Sequence, residues 1–205
     1  MNPVVAEVEA AIEALLAKFA SSPHAFLTEE DVRSWLFREL LTQGVPEHSK
    51  SFDGFDTSPI HNEVRWYGLR SRHRGGDGNE GLEVDDLNLR SDMVILDTDD
   101  LVVRHGDVGV NSKGFGFNSF YWVIELKLRR NKMESDRRFR ARIEDDVSRL
   151  AEVVSRVNRH NKHHEYAQFV VICLDKHELP IDPERNDGGI RVIYKSARAA
   201  ASERT

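Results

Sequence analysis

Arg90-Ser91-Asp92-Met93-Val94-Ile95-Leu96-Asp97 and Phe120-Tyr121-Trp122-Val123-Ile124-Glu125-Leu126-Lys127-Leu128 are the two stretches whose reading decides the fold. Both are apolar runs of strand length. Side chains alternate between the faces of a strand, so Glu125 and Lys127 point one way and Ile124, Leu126 and Leu128 the other. An edge strand with one solvated face would also carry alternating Glu and Lys. Residues 120–124, however, are apolar on both faces, which marks a central strand, and a desolvated charge there must be paired, hydrogen-bonded or metal-bound. Two carboxylates and a lysine on adjacent strands are the parts that bind a divalent cation and stabilise a phosphoryl transition state.

Working outward, Val5, Val8, Ile12, Leu15, Leu16 and Phe19 recur at helical spacing over residues 3–20, and Ser21-Ser22-Pro23 ends that helix. Thr28-Glu29-Glu30-Asp31 reads as the capped start of a second helix that runs to about Gln43. His61 to Tyr67 reads as a strand, followed by a loop rich in Arg, Gly and Asp from Gly68 to about Leu89. Between Asp97 and Asn118, Leu101-Val102-Val103 suggests a hairpin extension before a glycine-rich turn. A long helix begins near Ser135, with Ile143, Val147, Leu150, Val154 and Val157 as one apolar stripe. Strands at 168–174 and 190–194 close the sheet. The expected organisation is one domain over 1–205: an accessory helix over 1–20, a core over 28–195 and a loose tail over 196–205.

Composition bounds the rest. The 205 residues are 40% hydrophobic and 31% charged, ordinary values for a folded soluble chain long enough to bury a core. A net charge of -6 argues against coating nucleic acid nonspecifically, though not against a local basic surface. The single cysteine, Cys173, lies in an apolar run and reads as a buried thiol, which fits a reducing compartment. No run reaches the roughly 20 apolar residues of a membrane span. Glu7, Glu9 and Glu13 exclude a secretion signal, so no membrane association and a cytoplasmic location are expected.

Asp92 before an apolar strand, then Glu125-Leu126-Lys127 on the next, resembles the PD-(D/E)xK phosphodiesterase and nuclease superfamily. The resemblance implies an α/β fold with a restriction-endonuclease-like αβββαβ core, a mixed central sheet flanked by helices, across most of the chain. It implies a metal-dependent nuclease that hydrolyses phosphodiester bonds, with nucleic acid, DNA foremost, as partner. Asp92, Glu125 and the Leu126 carbonyl would hold Mg²⁺ or Mn²⁺, Lys127 would assist the attacking water, and the products would be a 5′-phosphate and a 3′-hydroxyl. Two features depart from the family's pattern: Ser91 stands where a proline often precedes the Asp, and the segment between Asp92 and Glu125 is longer than the usual hairpin. A homodimer stays open. The alternative is the same fold as a catalytically silent module that binds nucleic acid or protein.

The resemblance also suggests a carboxylate from the second helix. At 100° per residue Glu29 shares a side with Val32, Leu36 and Leu40, whereas Glu30 points nearly opposite and Glu39 sits near the middle of the apolar stripe. Glu29 is the expected site residue, against the simpler reading that it favours the helix N-terminus, while Glu39 stays open as the alternative that reaches the site or pairs with a buried cation. Glu63 is a further candidate, against a solvated strand face. From Leu128 to Arg142, seven basic residues stand against Glu134 and Asp136, a net of +5. Arg129, Arg130, Lys132, Arg137 and Arg138 are the expected nucleic-acid contacts, against a face of ion pairs. His160, His163 and His164 complete no zinc pattern, and Gly114-Phe115-Gly116 is not a phosphate loop.

Overall fold

A computed structural model describes residues 3–72, 81–101, 119–130, 133–158, 161–177, 179, 182 and 184–197. Its elements are, in order, α1 (Pro3–Ser21), a 3₁₀ turn (Pro23–Ala25), α2 (Glu29–Thr42), β1 (Ser49–Lys50), β2 (Asp56–Thr57), β3 (Ile60–Arg72), β4 (Gly81–Leu96), β5 (Phe120–Arg129), α3 (Asp136–Arg156), β6 (Gln168–Asp175), β7 (Glu184–Asp187) and β8 (Ile190–Ser196). This is an α/β protein: among the described residues, three α-helices and a six-strand mixed sheet of order β3-β4-β5-β6-β8-β7. β3, β4 and β5 form an antiparallel meander, β5, β6 and β8 run parallel, and β7 closes one edge antiparallel. The parallel step from β5 to β6 needs a crossover, which α3 supplies.

The helices begin where the sequence signals them. Thr28 accepts the Asp31 N–H at 3.2 Å while Asp31 accepts the Thr28 N–H at 2.8 Å, a reciprocal cap. The Ser135 hydroxyl accepts the Arg138 N–H at the head of α3. Val8, Ala11, Ile12, Leu15 and Phe19 of α1 are wholly buried in the layer it shares with α2. That layer covers one sheet face through Met93, Ile95, Trp122, Ile124, Leu126 and Leu128. α3 covers the other through Val94, Val123, Val171, Cys173 and Val192. Each such side chain contributes roughly 1.5–3 kcal/mol of burial, which holds β5 at the centre of the sheet. Burial pushes the Cys173 thiol up to about 12. Among the described residues no helix is long and apolar enough to cross a membrane.

Two readings of the chain change. The expected loop from Gly68 to Leu89 is largely strand, since Tyr67–Arg72 pairs with Gly81–Asp86 and the two strands run on as a ribbon. β7, short and polar on an edge, carried no apolar alternation to mark it. In the tail, Ser196 still belongs to β8 and Ala197 donates its N–H to Asp175. Residues 198–205, Val102, Val103 and the 114–116 turn lie outside the described residues.

Candidate active site

The site begins where the sheet splits. β4 and β5 pair from Leu96↔Phe120 to Met93↔Ile124, and no pair follows. The next β5 donors on that side therefore need other acceptors. Two carboxylates supply them: Asp92 Oδ2 accepts the Leu126 N–H at 2.8 Å, and Glu29 Oε1, from the first turn of α2, accepts the Leu128 N–H at 3.1 Å. The side chains of two different elements thus continue a ladder that the β4 backbone has left. The wedge between the strands becomes a cleft of about 650 Å³ that Glu29, Glu30, Arg33, Glu63, Asp92 and Leu128 line, among others.

The backbone is irregular at the same point. Glu63 has φ 56° and, with Asp92, falls between the pairs Asn62↔Met93 and Val64↔Ser91. Inward alternation changes phase there: Ile60 and Met93 face α1 and α2, whereas Val64 and Leu89 face α3. A glutamate at positive φ costs on the order of 1–3 kcal/mol, and such strain gathers at sites that need a side chain re-aimed.

Glu125 and Lys127, 2% and 9% exposed, lie on the α3 face of β5 and do not line the cleft. Glu125 Oε1 is buried with no hydrogen-bond partner among the described residues. Burial, and then the neighbouring Asp92 charge, push the Glu125 carboxyl up to about 8, against the opposing pull of Arg149, Lys127 and a Ser91 hydrogen bond. Lys127 Nζ sits 2.9 Å from Asp146 Oδ2 and 3.3 Å from the Leu126 carbonyl oxygen. Asp146, at 1% exposure, is also paired with Arg149 one turn along α3. Asp92, Glu125 and Lys127 are therefore grouped at the split, with Asp92 close enough to Glu125 to oppose its ionisation.

A cation of the chain already stands among the carboxylates. Arg33, on α2, reaches Glu30 at 2.7 Å, Glu63 at 2.8 Å and Asp92 at 3.0 Å. Both Glu29 and Glu30 line the cleft, but only Glu29 bonds β5; Glu39 pairs with Arg38 at 3.1 Å and does not line it.

The basic segment divides. Arg130 and Arg138 line the cleft, and Arg137 is exposed on the first turn of α3. Arg129 corrects the sequence reading. It is 4% exposed, and its guanidinium is held by Asp136 at 2.6 Å, the Glu134 carbonyl at 2.8 Å and Asp175 at 3.3 Å. The inward alternation of β5 that aims Glu125 and Lys127 also buries Arg129, which closes the strand rather than meeting a phosphate. Lys132 lies outside the described residues. Arg142 bridges Glu29 at 2.5 Å and Glu134 at 3.0 Å across the cleft wall. His163, at the far end of β5, binds Asp97 at 2.8 Å and stacks on Tyr121, a structural role; His160 lies outside the described residues.

Arg33, Asp146 and Arg149 are the site residues that the sequence reading missed. Asp146 had a signal: it lies three residues after Ile143 and four before Leu150, an acid on the buried stripe of α3. Arg33 had a similar one: at 100° per residue it falls on the side of α2 that carries Glu29, Leu36 and Leu40, a cation on a buried stripe.

No group of three or more His, Cys, Asp or Glu among the described residues is arranged as a metal cage. What the split offers is two carboxylates, Asp92 and Glu125, beside the Leu126 carbonyl. These are hard oxygen donors, and Glu125 Oε1 is buried without a hydrogen-bond partner among the described residues; the donor types fit Mg²⁺ or Mn²⁺, with water completing the shell. Family models, curated proteins and solved structures were all searched, and none matches this chain.

Proposed function

We propose that this chain is a metal-dependent nuclease of the PD-(D/E)xK type, in which α2, β3, β4, β5, α3 and β6 form the restriction-endonuclease-like core. The observation that carries the reading is Asp92 at the β4–β5 split, bonded to the Leu126 N–H and near enough to buried Glu125 to oppose its ionisation, with Lys127 two residues along the same face of β5. Asp92, Glu125 and the Leu126 carbonyl would hold Mg²⁺ or Mn²⁺. When bound, the cation supplies Lewis acidity and an activated water.

The chain's own groups do the rest. Lys127, fixed by Asp146, presents a positive charge where negative charge grows on the phosphorus oxygens. Arg130 and Arg138 meet the flanking phosphates and set the register of the backbone in the cleft. Glu29 shapes the mouth by holding the end of β5 against α2. DNA is the proposed polymer.

The test is incubation with supercoiled plasmid, single-stranded DNA and branched DNA in Mg²⁺ or Mn²⁺, with and without EDTA. Cleavage of at least one substrate that EDTA stops, leaving 5′-phosphate ends, is the expected result. Binding of DNA without cleavage of any of the three would instead support the silent module. One observation favours that second reading: Arg33 already neutralises Asp92 and Glu63 as a metal would.

A further inference from the structure

That guanidinium is the feature the nuclease reading leaves over. Arg33 is nine-tenths buried, belongs to no core cluster, and spends its terminal nitrogens on three carboxylates from α2, β3 and β4. Its Nε is buried without an acceptor among the described residues, so the fork is only partly satisfied where it stands. Asp92 is the shared element: one oxygen accepts Leu126 N–H and the other pairs with Arg33. A cation approaching Asp92 meets like charge at hydrogen-bond distance. Relief requires the guanidinium to move, and Arg130 and Arg138 line the same cleft. A phosphodiester entering there offers two oxygens in the geometry that an arginine fork binds best.

Resting on the nuclease reading, we propose that Arg33 is a resident counter-ion that competes with the divalent cation for Asp92, and that an entering phosphodiester draws the guanidinium away. Metal and nucleic acid then load cooperatively. Without substrate, Arg33 keeps the Asp92–Glu63 pair neutralised and the site poorly receptive to metal. With substrate, the same side chain becomes a phosphate clamp. Two ligands that each favour the released arginine must strengthen each other reciprocally.

The experiment is calorimetric titration of Mn²⁺ into wild type, Arg33→Gln and Arg33→Lys, with circular dichroism to verify folding. Mn²⁺ should bind Arg33→Gln more tightly than wild type by about ten-fold, within the usual range for coupled sites. Arg33→Lys keeps a charge but cannot span three carboxylates, so it should gain part of that factor. The DNA arms use the cleavage-deficient Lys127→Ala background with a short duplex. Duplex should tighten Mn²⁺ binding there, and adding Arg33→Gln should remove most of that gain. Equal or weaker Mn²⁺ binding by Arg33→Gln overturns the proposal, as does a duplex effect that Arg33→Gln leaves intact. If Arg33→Gln does not fold, Arg33→Lys decides alone, and no tightening there overturns it. Absence of Mn²⁺ uptake by every variant, with or without duplex, overturns the nuclease reading itself and this inference with it.

Discussion

Asp92 accepts the backbone N–H of Leu126 at 2.8 Å, one step past the last backbone pair between their strands. The carboxylate replaces a strand: it satisfies a buried donor that β4 has abandoned, and in doing so is fixed at the mouth of the cleft. Structure and proposed chemistry thus draw on the same side chain, and substitution can separate them.

Asp92→Asn keeps an oxygen that can accept from Leu126 but loses the charge that Arg33 and a metal require. Its fold should survive while cleavage and Mn²⁺ uptake are lost. Asp92→Ala should lose both activities and also destabilise the protein by about 1–3 kcal/mol, the cost of an unsatisfied buried donor. Urea melts of the two variants beside cleavage assays make the comparison.

Lys127 and Asp146 form a buried pair whose partners lie on opposite sides of the β5–α3 interface. Removing either one strands the other, so Lys127→Met and Asp146→Asn should each destabilise measurably. The double variant should be less destabilised than their sum. A double-mutant cycle should return a coupling above about 0.5 kcal/mol, as contacting charged partners do; additive effects would mean that the pair is not formed.

How far this site could be read from sequence follows from how local each signal is. The apolar run before Glu125 and Lys127 marked a central strand because residues 120–124 are apolar on both faces, and Asp92 became a candidate through the motif it forms with Glu125 and Lys127. The capped start of α2 was equally legible, since Thr28 and Asp31 bond within one turn. Arg129 misled because a positive charge next to a catalytic-looking motif reads as a surface, whereas its partners Asp136 and Asp175 are seven and forty-six residues away. The ribbon of β3 and β4 was hidden by polar composition, because a ladder is made by backbone groups that composition does not report. Helix phase puts Arg33 on the buried side of α2, but its partners were illegible for the same reason of distance: Glu63 and Asp92 meet it only once the meander folds.

The basic segment gives a discriminating pair of variants. Replacing Arg130 and Arg138 with glutamine should weaken DNA binding and flatten its salt dependence by about two phosphate contacts' worth, with little effect on melting. Arg129→Gln should do the opposite, because it breaks the buried contacts to Asp136 and Asp175 while removing nothing from the cleft. Fluorescence anisotropy over a salt series, beside thermal melts, reads both.

Glu125 makes stability pH-dependent in EDTA. Its carboxyl is pushed up to about 8 in the folded chain from an ordinary value of 4.5, so the folded state retains a proton that the unfolded state releases. Stability should therefore fall as pH rises between those values and level off above the upper one. Glu125→Gln removes the titration, so its advantage over wild type should be absent below pH ~4.5 and grow through neutrality. Thermal melts across that range in EDTA check the sign; an advantage that shrinks with pH would contradict a carboxyl whose burial outweighs its partners.

The central claim is that Lys127 stabilises a transition state at a phosphodiester, and single-turnover cleavage by wild type and Lys127→Ala at equal DNA occupancy tests it most directly. Loss of transition-state stabilisation lowers the chemical rate and leaves ground-state binding nearly unchanged. The account predicts EDTA-sensitive cleavage by the wild type, a rate reduced at least about 100-fold in Lys127→Ala, typical of losing a group that stabilises developing charge, and DNA affinity within about two-fold. A wild type that binds DNA without cleaving it, or a Lys127→Ala protein that cuts as fast as wild type, would contradict it.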